Sequence, residues 1–188
     1  MDDLDRRLAA RRAANARALA AFGGGAVRAG AEALERIVRR GRGPTLLHTI
    51  GYEKRAPEDL VAALRGAGVR VLVDVRDDPA SRRPEYRPAA LRALAEGAGL
   101  VYEPRRDLGA PKASRDALRA SGDLARYLEG FRAHAEAALG GALERLARRV
   151  AEGGAALLCY ERIPEDCHRS VLADIVATRL DATVVAIL

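Results

Sequence analysis

Val69-Arg70-Val71-Leu72-Val73-Asp74-Val75-Arg76 decides the fold. The β-branched run from Val69 to Val75 reads as a buried strand of the kind that fills parallel sheets. Upstream, Thr45-Leu46-Leu47-His48-Thr49-Ile50 reads as a second strand, and Pro57 fits the first turn of a helix carrying Leu60, Val61 and Leu64. Downstream, Pro88 opens a helix through Leu91 and Leu94, and Leu100 to Tyr102 is a short strand. Residues 104 to 122 hold Pro, Gly and Ser with little periodicity and read as a long surface loop with at most a turn of helix. Helices are expected from about Asp123 to His134, Ala137 to Val150 and Asp166 to Leu180, with strands at Ala155 to Tyr160 and Thr183 to Leu188. Strands alternating with helices imply a Rossmann-like α/β fold, a mostly parallel sheet with helices on both faces, because parallel crossovers need the intervening helices.

Residues 1 to 43 read differently, as an Arg-rich helical extension to an α/β domain spanning 44 to 188. Leu4, Leu8 and Leu19 form a weak apolar stripe that Gly23-Gly24-Gly25 breaks; Val27, Ala31, Leu34, Ile37 and Val38 then recur at helical spacing until Gly41, Gly43 and Pro44. The extension carries ten arginines against five carboxylates, so it holds most of the chain's formal net charge of +6. It reads as an arm that packs on the domain or on a second subunit to give a homodimer, with a nucleic-acid clamp as the alternative.

No apolar run approaches the roughly 20 residues that cross a bilayer, and the chain opens on Asp2, Asp3 and Asp5, so a cytoplasmic protein without a membrane partner is expected. Cys159 and Cys167 make no disulfide framework, and their spacing lacks the close pairs and companion ligands of a structural zinc site. Neither metal nor cofactor is expected.

Ligands of parallel sheets gather outside the carboxyl ends of the strands, which directs attention to the residues that follow each strand. After the first stand Gly51 and Tyr52, where a glycine lets the backbone turn or approach a ligand. After the second, alternation sets Asp74 and Arg76 on one side, followed by Arg82, Arg83 and Tyr86. Two readings stand for that pair: a carboxylate orienting a guanidinium toward an anionic substrate, or a structural ion pair. After the strand at 155 to 160 comes Glu161, then Cys167-His168-Arg169 leading into a helix, where the dipole favours anions. A cysteine-phosphatase loop needs more than the single residue between Cys167 and Arg169, so these residues read as an anion or base pocket. Glu161, in a loop where partial desolvation raises a carboxyl pKa, is the first candidate general acid or base, with Asp74 and His168 behind it. Its competing reading is a salt bridge with Arg169 or Arg76.

Taken in order, Thr49-Ile50-Gly51-Tyr52, Asp74-Val75-Arg76 with Pro79 and Ser81-Arg82, Leu108-Gly109, and Cys159-Tyr160-Glu161 with Cys167-His168-Arg169-Ser170 resemble the family called domain of unknown function 488 across roughly residues 45 to 187. Ala110 departs from it, standing where many members carry Gly or a polar residue. The resemblance implies a Rossmann-type α/β sandwich with a shared cleft and no settled reaction, so function rests on the site itself.

The residues favour an enzyme acting on a nucleotide-like or nucleic-acid substrate by hydrolysis or transfer at a glycosidic or phosphate-linked centre. In this reading Arg76, Arg82 and Arg169 hold anionic groups, Glu161 with Asp74 or His168 activates water, and Gly51 and Cys167 shape the pocket. A DNA N-glycosidase is one member of that class, with an extruded base stacked on Tyr52 or Tyr86. The alternatives are a non-enzymatic module binding nucleic acid or a phosphorylated ligand through the same arginines, and a thiol-dependent transferase or redox protein using Cys159 or Cys167.

Overall fold

The computed structural model describes residues 45–188, together with residue 6. The chain divides at Pro44 and Thr45 into two units. The two helices expected before Pro44, and the arm they form, lie outside the described residues.

The second unit runs β1 (Leu46–Gly51), α1 (Pro57–Gly66), β2 (Val71–Asp74), α2 (Pro88–Gly97), β3 (Val101–Pro104), α3 (Lys112–Ser121), α4 (Leu124–Ala138), α5 (Gly140–Ala151), β4 (Ala155–Cys159), α6 (His168–Leu180) and β5 (Thr183–Ile187). All strand pairs are parallel, in the order β3-β2-β4-β1-β5. The fold is therefore the expected α/β architecture with a Rossmann-like parallel sheet. The interior strands bear this out in their burial, since every residue of β2 and β4 is buried. Such strands read as continuous apolar runs because both faces are covered.

Alternation along the strands sends side chains into two cores. Ile50, Leu72, Ala156 and Leu158 pack with Leu60 and Leu64 of α1 and Leu91 and Ala95 of α2. Leu47, Val71, Val73, Ala155 and Leu157 pack with Phe131 of α4, Leu143 and Leu146 of α5, and Leu172 and Val176 of α6. The chain lays β1, β2 and β3 outward in one direction, then returns to insert β4 between β2 and β1. That reversal puts the carboxyl ends of β2, β4 and β1 side by side at the topological switch point.

One expectation is corrected. Within the stretch read as a surface loop, Lys112–Ser121 is a ten-residue helix. Its Pro111 and Gly122 are boundary residues, the glycine at φ 70°, rather than signs of a loop. The helix buries no residue, and its apolar residues are only the small Ala113, Ala117 and Ala120 with Leu118, too weak a set to mark it as a core helix; local pairs of Asp116 with Lys112 and Arg119 support it.

Candidate functional site

The three central strands end level with one another. Gly51 pairs in register with Cys159, and Asp74 with Leu158. The ladder continues beyond the strands through Tyr52 N–H to the Cys159 carbonyl (3.3 Å), Glu53 N–H to Tyr160 (2.9 Å) and Val75 N–H to Leu158 (3.1 Å). Asp74 and Glu161 thus stand on the same edge of the sheet. Two glycines allow this closeness. A Cβ on Gly51 would lie 1.9 Å from the Glu161 carbonyl oxygen, and one on Gly109 would lie 2.3 Å from the Asp77 backbone nitrogen. Gly51 therefore seats the loop carrying Glu161, and Gly109 seats the loop after β2. Ala110 is buried in the α4–α6 core, which suits the apolar residue found there.

On the α1–α2 face, Asp74 and Arg76 form a buried bidentate pair, Nε to Oδ1 at 2.7 Å and Nη2 to Oδ2 at 2.6 Å. The remaining Arg76 donors go to the Tyr52 hydroxyl (3.0 Å) and, from both terminal nitrogens, to the Tyr86 carbonyl (3.1 Å each). Five hydrogen bonds thus occupy the five N–H groups of the guanidinium. Tyr102 donates its hydroxyl to Asp74 Oδ2 at 2.7 Å. Tyr52 and Tyr86 stack on one another, centroids 4.3 Å apart and planes inclined by 15°, and both are buried. Tyr86 donates to the Arg55 carbonyl at 2.9 Å. The geometry of this half is that of a satisfied ion pair inside a tyrosine clasp.

On the opposite face, β4 and the start of α6 bring Cys159, Cys167, His168 and Glu161 together. Cys167 is the extended N-cap of α6 and His168 its first residue, so the chain bends between them and two neighbouring side chains converge. His168 Nδ1 lies 3.9 Å from Cys159 Sγ and 3.7 Å from Cys167 Sγ. Its Nε2 is 3.0 Å from the Val75 carbonyl. The ring packs edge-on against Phe131, centroids 5.0 Å apart. Glu161 is half-buried, with Oε2 3.6 Å from Cys159 Sγ. Burial, and then the neighbouring Cys167, push its carboxyl up to about 8. Burial likewise pushes the Cys167 thiol up to about 12. Tyr127 of α4 borders this group: burial, then Cys167, Cys159 and Glu161, hold its phenol above the usual range. Glu161 forms no ion pair with Arg169 or Arg76 among the described residues.

The arginines around this half are not matched in the same way. Arg169 is fully buried, yet only Nη2 has a partner, the Arg162 carbonyl at 3.2 Å; Nε and Nη1 have none among the described residues. Arg162 Nε and Arg55 Nε are also without partners there. Burial, followed by the charge of nearby Arg162, holds Arg55 below the usual arginine range. Arg82 is exposed, as is the ring of Tyr160, which meets Tyr52 edge-on at 5.4 Å. Sequence reasoning did not single out Arg55, Arg162, Tyr102, Tyr127 or Tyr160. Arg162 and Tyr160 flank Glu161 and were within reach of the rule that strand ends carry sites. Elsewhere, a depression of about 430 Å³ is lined by Arg105, Arg145 and Arg149, but these pair with Glu103, Asp107 and Glu152. Arg148 also lines it without an ion pair among the described residues, so most but not all of its positive charge is neutralised locally.

No helix among the described residues is long and apolar enough to cross a membrane. Comparison with curated proteins and with solved structures found no match for the chain. A family model does match, over residues 56–176, a span that begins at α1 and runs past Arg76, Gly109 and Glu161 into α6. The chain belongs to the family described as domain of unknown function DUF488.

Proposed function

We propose that the chain is an enzyme that hydrolyses or transfers at a glycosidic or phosphate-linked centre of a nucleotide-like or nucleic-acid substrate, with the chemistry on the β4–α6 side of the sheet edge. The observation that carries this reading is Arg169, a fully buried guanidinium with two nitrogens unmatched among the described residues and a third donating to the loop that holds Glu161. A buried charge without a counter-charge is costly, and an anionic ligand is the natural means of offsetting it. Arg162 and Arg55 add unmatched donors around the same loop. Glu161 precedes Arg162 on that loop and is half-buried, and so is the group that would move a proton to or from a substrate held there. Asp74 is committed to Arg76 and Tyr102, so in this reading it braces the edge. His168 orients the Cys159 and Cys167 side of the pocket. Tyr52 and Tyr86 spend a ring face on each other, which favours exposed Tyr160 as the ring for stacking a base, with Arg82 nearby for backbone phosphate. Both sulfurs are buried, which favours proton transfer over thiol nucleophilic attack. A cytoplasmic setting completes the proposal, since it keeps both thiols reduced.

The test runs binding and turnover side by side on the full chain, with nucleoside monophosphates, RNA and base-damaged DNA. Arg169→Met is expected to weaken phosphate-bearing ligands by roughly 10- to 100-fold, the loss of a hydrogen bond to a charged group. Binding without turnover across that panel favours the non-enzymatic module. Unchanged affinity in Arg169→Met removes the anion site.

A further inference from the structure

The Cys159, Cys167 and His168 group carries an inference independent of the reaction proposed above. Their ligand atoms lie within 4.8 Å of one another, and all three side chains are buried. A zinc ion bound tetrahedrally at ordinary bond lengths holds sulfur and nitrogen about 3.6 Å apart. The observed separations from His168 Nδ1, 3.7 and 3.9 Å, match that edge within a few tenths of an ångström. The histidine is also set in the required tautomer. A carbonyl only accepts, so the 3.0 Å contact of Nε2 with Val75 puts the ring proton on Nε2 and leaves the Nδ1 lone pair facing the two sulfurs. A ligand histidine is normally fixed by such a bond from its other nitrogen. The apolar shell of α4 and α6, with the Phe131 ring edge-on to His168, screens the group from water. Glu161 lies beside the group rather than within it, its Oε2 3.6 Å from Cys159 Sγ. Three protein ligands leave a tetrahedral ion one further position, as in zinc sites with an exchangeable ligand.

We infer that Cys159, Cys167 and His168 form a binding site for a borderline-soft divalent cation, zinc being the best fit to two thiolates and an imidazole. The site was hidden in the sequence because its ligands come from a strand end and a helix start, and its two adjacent members converge only through the bend at Cys167.

The experiment uses the full chain purified under reducing conditions. After loading with Zn²⁺ and exhaustive dialysis, metal per chain is measured by mass spectrometry, and a parallel sample is loaded with Co²⁺ and followed by absorption spectroscopy. One zinc per chain and a thiolate-to-cobalt charge-transfer band with tetrahedral ligand-field absorption are expected. Cys159→Ala should lower zinc affinity beyond the roughly 10- to 100-fold that loss of an outer-sphere partner costs. If that variant does not fold, the cobalt spectrum of the parent decides alone. Zinc at background level in the parent, a cobalt spectrum without a thiolate band, or a Cys159–Cys167 disulfide that persists in reducing buffer overturns the inference. Metal content is read without any substrate, so a chain that holds no zinc yet loses turnover on Glu161 substitution would overturn the metal site and leave the proposed function standing.

Discussion

The two faces of the sheet reach the same carboxyl edge and treat charge in opposite ways. On the α1–α2 face, Arg76 has a partner for every N–H, and Asp74 accepts from Arg76 and Tyr102. On the α4–α6 face, Arg169 is more deeply buried and has two nitrogens with no partner among the described residues, while Glu161 lies against Cys159 and makes no ion pair with an arginine among them. A fully satisfied buried network rigidifies a fold; an unsatisfied one is retained only where something else offsets its cost. Both charged groups follow a strand in the same sheet, so position at the edge does not by itself mark chemistry. Under the proposed function, the state of the hydrogen bonds separates the two.

The comparison breaks first at Asp74. Asp74→Ala leaves Arg76 buried without its carboxylate and should cost about 3–5 kcal/mol in urea unfolding of the full chain, while Asp74→Ala combined with Arg76→Met recovers part of that loss. A cost under about 1 kcal/mol would show that the tyrosine clasp is not what holds this face. A smaller effect is expected at Gly51, where an added Cβ meets the Glu161 carbonyl. Gly51→Ala should destabilise by about 1–3 kcal/mol and also shift the Glu161 loop, so turnover falls along with stability. Full activity in a folded Gly51→Ala chain would separate the glycine from the site. The smallest effect on stability is expected at Arg169. Arg169→Met removes a buried charge that has no ion-pair partner among the described residues, so unfolding free energy should change by less than about 1 kcal/mol or rise. A loss as large as that of Asp74→Ala would mean that Arg169 belongs to the scaffold.

How far this division was legible in the sequence differs between its halves. The strand at Val71–Asp74 and the helix starting at Pro57 follow from β-branched run length and from proline at the first helical turn. The shared strand parity of Asp74 and Arg76 was readable too, but not the choice between substrate clamp and structural pair. That choice rests on Tyr102, 28 residues from Asp74, and on the carbonyl of Tyr86, neither of which strand periodicity brings near. The Lys112–Ser121 helix escaped because its apolar residues are mostly alanine and none is buried, so its period lacks the large residues that mark a core-facing helix. Cys159 and Cys167 looked unrelated in spacing because metal-site rules presume close pairs, whereas here the turn from β4 into α6 closes the gap. Glu161 was legible as a candidate because a carboxylate directly after a buried strand lies at the carboxyl edge of the sheet and is partly desolvated.

The central claim, that chemistry belongs to the β4–α6 half, is tested most directly at that residue. Glu161→Gln keeps the side-chain shape and removes its capacity to exchange a proton near neutrality. Assayed beside the parent on a substrate the parent turns over, with unfolding monitored in the same preparations, it should lose on the order of 10²- to 10⁴-fold in rate while stability and ligand affinity stay close to those of the parent. A parent-like rate in a folded Glu161→Gln chain would contradict the account.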